Sequence, residues 1–317
     1  MTVVGTPQEP VSRGFLSSLG RWVDSWAEDE RDLTRGPRDI DWLRVSPFFV
    51  LHLSCLLVFY VGWSWPAVTV AVAFYTLRMF AITGFYHRYF SHRSFATSRA
   101  VQFLFAALAS SAIQRGPIWW ASHHRAHHRH SDREGDLHSP DRDGFLWSHV
   151  GWILATENFR PRLELVPDLM RYRELRWLDR FNLVVPLLTI PLLYFLGVGL
   201  EALGFATTGF QVLVWGFCIS TVVTYHITFS INSVAHRVGS RPFETKDGSR
   251  NNWLLSLLTF GEGWHNNHHR YQASVRQGFR WWEVDFTYYV LRVMSIFGLV
   301  WKLNPVPERI LAERARR

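Results

Sequence analysis

Fifteen histidines occur in 317 residues, and nine of them fall into four short clusters. Two clusters repeat one spacing: His124-Arg-Ala-His127-His128 and His265-Asn-Asn-His268-His269. Positions i, i+3 and i+4 share a helical face, so each triplet is expected to bring three imidazoles within reach of a common centre. In a third cluster, His87-Arg-Tyr-Phe-Ser-His92, a separation of five turns the side chains about 140° apart on an ideal helix. Such a pair converges only around a large central site or at a helix end. The fourth, Asn232-Ser-Val-Ala-His236, sets an amide beside a ninth imidazole at i, i+4, which supplies a ligand and a holder for water.

Nine imidazoles exceed what one tetrahedral zinc needs and match two ions, and imidazole suits iron, copper and nickel as well. The soluble di-iron bundle uses carboxylates and paired Glu-x-x-His motifs. Glu262-Gly-Trp-His265 is one such motif, but no second copy exists and Gly263 weakens a helix there. Neutral imidazoles leave the charge of two ions uncompensated, so an oxo or hydroxo bridge and supporting carboxylates are expected, with Asp132, Asp136 and Glu262 nearby in sequence. An assembly of this kind suits oxygen activation. His52, His123, His130, His138, His149 and His226 read as hydrogen-bonded or interfacial side chains outside the cluster ligand set.

The elements that must position these residues are apolar. Hydrophobic residues make up 48% of the chain, with 16 Trp and 24 Phe, more than a soluble domain needs. Four stretches, about 46–64, 66–84, 181–200 and 208–231, approach the length of a bilayer-spanning helix. They pair as two hairpins whose turns lack Lys and Arg, while arginines crowd the segments before the first span, between the second and third, and after the fourth. By the positive-inside rule both termini and the central segment are cytoplasmic, in a multi-pass inner or cell membrane. A soluble helical protein with buried hairpins would not show that asymmetry.

The formal charge of +8 is almost entirely arginine, since Lys246 and Lys302 are the only lysines. Its distribution along one membrane face assigns it to that surface and to acidic partners, not to nucleic acid. Cys55 and Cys218 lie in apolar runs and act as small hydrophobes. Residues 1–44 lack signal-peptide architecture. Helical spacing of Phe15, Leu19, Trp22, Val23 and Trp26, and of Phe286, Tyr289, Val290, Val293, Ile296, Phe297 and Val300, predicts two interfacial amphipathic helices. The run 100–113 is too short to span and is expected in or against the membrane. We read one domain over 1–317: an N-terminal cytosolic or interfacial segment 1–45, a core 46–300 and a basic tail 301–317.

The four histidine motifs, with Gly261-Glu-Gly-Trp before His265 and Gly144-Phe-Leu-Trp-Ser-His149-Val-Gly-Trp152, resemble the membrane acyl-CoA desaturases of the stearoyl-CoA desaturase family over about 45–300. The resemblance implies an all-α integral membrane fold, with four transmembrane helices in two hairpins and a cytosolic helical cap holding a dinuclear iron site beside a narrow acyl tunnel. It implies that His87, His92, His124, His127, His128, His236, His265, His268 and His269 bind the metals, that Asn232 reaches one through water, and that Trp120 lines the tunnel. The implied reaction is O2-dependent formation of a cis double bond, at the delta-9 position, in a long-chain saturated fatty acyl-CoA. Two electrons come from the substrate and two from an external donor.

Animal members carry Trp-Ala-Arg-Asp at the CoA headgroup where this chain has Trp120-Ala121-Ser122-His123. No cytochrome b5 domain is fused, so a separate donor is expected: a ferredoxin, a rubredoxin or a flavoprotein reductase. The alternatives are an acyl-lipid desaturase, a membrane fatty acid or alkane hydroxylase, and a non-enzymatic metal-binding or transport protein. Transporters place ionisable groups near mid-membrane, whereas these clusters sit at span ends.

Overall fold

Ser64 and Thr208 each start a membrane-length helix in the same way. Their hydroxyls accept from Ala67 N–H and Gln211 N–H, satisfying amides that an apolar helix cannot satisfy itself. The computed structural model describes residues 20–27, 36 and 38–315. Among these, four helices are long and apolar enough to cross a membrane: α1 (Trp42–Val61), α2 (Trp65–Ser91), α6 (Val184–Ala202) and α7 (Gly209–Ser233). They form the two expected hairpins, with boundaries close to the hydropathy estimate except that α2 continues past the expected end at 84 to Ser91, taking in His87. Between them lie α3 (Arg99–Ser110), the short apolar helix, then α4 (Pro117–His130) and α5 (Arg173–Arg180). After the last span come α8 (His265–Arg270) and α9 (Phe286–Ile296).

The hairpins are tied together at their turns. Ser64 Oγ donates to Thr207 Oγ1 at 3.0 Å, Gln211 Nε2 to Val61 O at 2.8 Å and Trp215 Nε1 to Gly62 O at 3.0 Å. Gly197 and Gly209 let α6 and α7 touch: a Cβ on Gly197 would lie 2.8 Å from the Gly209 Cα, the close backbone approach small residues permit in membranes. Arg78, fully buried in α2, donates to Thr221 Oγ1 at 2.7 Å and Ser220 Oγ at 2.5 Å, so its charge faces protein and not lipid.

The other end of the bundle carries the cap. Phe85 of α2 stacks on Phe105 of α3 with centroids 4.1 Å apart, and the surrounding core runs through Ile118, Ala121, Leu175 and Leu178 to Leu291. A two-stranded antiparallel sheet, β1 (Ala96–Thr97) with β2 (Val300–Trp301), ties the segment after α2 to the segment after α9. The C-terminal amphipathic helix forms with Phe286, Tyr289, Val290, Val293 and Ile296 exposed along α9, but it is shorter than expected: Phe297 caps it, Gly298 at φ +69° turns the chain, and Val300 is buried in β2. Of the N-terminal one, Phe15 and Leu19 lie outside the described residues.

Candidate metal centre

α2 ends as a π-helix over Ala81–Ser91, whose i→i+5 hydrogen bonds stack residues five apart. His92 N–H donates to His87 O at 3.2 Å, and the two rings approach to 4.8 Å. The widely spaced pair therefore converges because the helix is wound differently there. His124, His127 and His128 extend from α4, His265, His268 and His269 from α8, and His236 follows the end of α7.

The nine imidazoles form two groups: His87, His92, His124, His128 and His268 in one, and His127, His236, His265 and His269 in the other, with ligand atoms in each within 4.8 Å of one another. This corrects the expectation that each triplet serves one centre. His124 and His128, one turn apart, face the first group while His127 faces the second; α8 reverses the division, giving His268 to the first and His265 and His269 to the second. Each helix thus straddles both.

The nitrogen spacing suits an ion in each group. Nε2 to Nε2 separations are 3.1 Å for His87–His268, 2.8 Å for His92–His124, 2.9 Å for His124–His128 and 3.0 Å for His236–His265. Metal–imidazole bonds of about 2.1 Å at right angles put two nitrogens about 3.0 Å apart. His269 Nε2 is buried with no partner among the described residues although its Nδ1 is engaged, the condition of an atom that faces an ion.

Carboxylates hold the outer nitrogens. Asp136 takes His127 Nδ1 at 3.0 Å, Asp132 takes His236 Nδ1 at 2.8 Å, Asp247 takes His269 Nδ1 at 2.8 Å, and Glu262 engages His87 Nδ1. With the proton fixed on Nδ1, the Nε2 lone pair points inward. Asp132 adopts φ +56° and also accepts from Gly248 N–H and Ser139 Oγ at 2.7 Å each. Arg88 aligns Glu262, bridging it at 2.9 Å and Asp285 at 2.9 Å. The six-residue α8 is braced through the residues between its histidines: Asn251 Oδ1 accepts from Asn266 N–H and Asn267 N–H, and Asn267 Nδ2 donates to Glu283. Asp132, Asp136 and Glu262 were visible as neighbours in sequence; Asp247 was not, because 22 residues separate it from His269. Glu262 supports His87, not His265, so the Glu-x-x-His spacing is incidental.

Burial, then repulsion between neighbouring imidazolium charges, holds His92, His124, His128, His265 and His268 well below the ordinary histidine range. His269 falls to about 4, burial outweighing Asp247. These rings are neutral and able to bind metal. Burial would raise Asp132, Asp136 and Asp247, but their histidine contacts hold them below the ordinary carboxylate range.

A cavity opens onto both groups, walled by His124, His127 and His265 with Met79, Ile82, Trp120 and Asn232. Trp120 stacks on His124 at 5.1 Å, so the residues expected to line a tunnel and to hold water both face the centre. Ser122 and His123 are buried, 0% and 2% exposed. His123 stacks on Trp119 at 4.3 Å, and burial takes it down to about 3.

Four membrane-length helices under a cap that buries two imidazole groups beside an apolar cavity define a multi-span membrane protein with a histidine-rich metal site. The chain belongs to the fatty acid desaturase family, whose profile matches residues 63–297, and it is an oxidoreductase acting as a fatty acyl desaturase. It is 38% identical to Delta-9 acyl-lipid desaturase 1 of Arabidopsis thaliana, over 82% of each chain. It is 37% identical to the sn-1 stearoyl-lipid 9-desaturase of Synechocystis sp., over 86% of this chain and 83% of that one. It is 36% identical to the Acyl-CoA C20 Delta5-desaturase of Anemone leveillei, over 82% and 80%.

Proposed function

We propose that the protein introduces a cis double bond at the delta-9 position of a long-chain saturated fatty acyl-CoA, using O2 and a di-iron centre. The observation that carries this reading is the pair of buried, all-imidazole groups opening onto one apolar cavity. The donor set suits iron. His87, His92, His124, His128 and His268 would hold one ion, and His127, His236, His265 and His269 the other, with Asn232 reaching the second through water. Two irons bound there supply the oxygen activation that removes hydrogen from an unactivated methylene.

The chain's own residues position and insulate. Asp132, Asp136, Asp247 and Glu262 fix ring orientation, Trp120 presses the chain against the centre, and the apolar walls exclude water. The balanced reaction joins one CH2–CH2 unit, O2, two electrons and two protons to give CH=CH and two waters. The electrons come from a separate ferredoxin, rubredoxin or flavoprotein reductase docking on the basic cytoplasmic face, where both termini also lie.

One observation favours an acyl-lipid substrate: Ser122 and His123 are buried and uncharged where animal members present Arg-Asp to CoA. The names of the Arabidopsis and Synechocystis relatives point the same way. Lipid analysis of a desaturase-deficient host expressing the chain tests the reaction: a delta-9 cis monoene is expected, and a hydroxy acid would overturn it. Purified protein given stearoyl-CoA or labelled phospholipid separates the carriers; turnover of phospholipid alone excludes CoA.

A further inference from the structure

The two imidazole groups are not supported alike. In the second, three of the four rings rest their outer nitrogen on a carboxylate: His127 on Asp136, His236 on Asp132 and His269 on Asp247. In the first, one ring of five does so, His87 on Glu262. His128 Nδ1 and His268 Nδ1 of the first group are buried with no partner among the described residues, against His265 Nδ1 alone in the second.

The charge behind the rings differs as well. Among the described residues no Lys or Arg pairs with the carboxylate of Asp132, Asp136 or Asp247, and Arg241 reaches only the Asp247 carbonyl oxygen, at 2.6 Å. Glu262 gives one oxygen to Arg88 at 2.9 Å, and Gln277 Nε2 donates to the other at 3.1 Å. A carboxylate already neutralised by a guanidinium polarises the imidazole beside it less and compensates a bound cation less. His92 is set through its backbone: Arg125 donates to Phe90 O at 2.6 Å and to Ser91 O at 3.0 Å, just ahead of it.

Each carboxylate that takes a ligand's outer N–H makes the inner nitrogen a better donor, and is worth roughly 10–100-fold in metal affinity. The second group has two more such partners than the first. The first has one more imidazole, but with their inner nitrogens given to an ion, His128 and His268 each carry a buried N–H that meets no acceptor, which opposes binding.

We propose that the two ions are held unequally. The group of His127, His236, His265 and His269 fills first and releases last, and the group containing His92 and His128 is the exchangeable one. Asp132, Asp136 and Asp247 act as positioning residues that set this order, so protein holding one ion per chain is a defined species with the second group occupied. The inference rests on the two-ion reading above.

The test exposes full-length iron-loaded protein, reduced and anaerobic, to rising concentrations of a ferrous chelator, with retained iron read by elemental analysis. Wild type should lose iron in two steps, at chelator concentrations at least roughly tenfold apart. His92→Ala removes a ligand of the first group alone and His236→Ala one of the second alone. Iron kept by His92→Ala should leave at the later wild-type step, and iron kept by His236→Ala at or before the earlier one. The Mössbauer spectrum of half-stripped wild type should match that of His92→Ala. Asp132→Asn keeps the shape and loses the charge, and should bring forward the later step alone; Glu262→Gln should move the earlier step alone. Release of both irons in one step, or the opposite assignment, overturns the proposal. If either alanine variant holds no iron, Asp132→Asn decides, and an unmoved later step overturns it. Wild type that takes up no more than one iron per chain from excess ferrous iron overturns the two-ion reading instead.

Discussion

His127 and His128 are adjacent in α4 yet belong to different halves of the candidate metal centre, His127 beside His236 and His269, His128 with Nε2 2.9 Å from that of His268. One helical step of about 100° separates them, so α4 passes between the two groups and couples their geometry. α8 does the same from the other side, and the two helices together set the distance between the two imidazole groups.

Single alanine substitutions at these neighbours should therefore deplete different halves. His127→Ala and His128→Ala are each expected to abolish desaturation and to lower bound iron from about two per chain towards one, measured by elemental analysis of purified protein. Full iron and normal turnover in both variants would remove these residues from the site, and the same holds for His268→Ala.

Asp247→Ala keeps every imidazole and removes the carboxylate that holds His269 Nδ1. Supporting partners of this kind are worth roughly 10–100-fold in metal affinity or activity. Chelator competition should show a loss in that range, confined to one of the two ions. An unchanged affinity would make the contact incidental.

Trp120→Ala opens space beside His124 without touching a nitrogen of either group. Iron content should remain at the wild-type level while turnover falls and the spread of accepted acyl chains changes, read by fatty acid analysis of the products. Loss of iron in this variant would assign Trp120 to holding α4 in place.

Asp179 reaches the start of α4 from α5. Its carboxylate accepts Trp119 N–H at 2.8 Å and Trp26 Nε1–H at 2.7 Å, and Gly116 admits it because a Cβ there would lie 2.3 Å from the Asp179 Cα. Burial, opposed by those hydrogen bonds, raises the carboxyl from 3.8 to about 6, a difference worth roughly 3 kcal/mol. The folded protein binds this proton more tightly than the unfolded chain. Its contribution is thus complete below about pH 4 and lost as pH rises through about 6. Asp179→Asn cannot titrate, so its melting temperature relative to wild type should climb across that window. A difference that stays flat would show that Asp179 does not titrate there.

The chemistry was legible in the sequence because it is local. Two i, i+3, i+4 triplets, apolar runs of membrane length and an arginine asymmetry are all short-range patterns, and they were enough for a four-span helical protein with a histidine-rich metal site at one end of the spans. What the sequence could not settle was how the imidazoles divide. Helical spacing places three rings on one face, but which of two neighbouring centres each ring meets depends on where α4, α8 and the π-wound end of α2 cross. The same holds for Asp247, whose contact with His269 joins positions distant in sequence, and packing alone decides that.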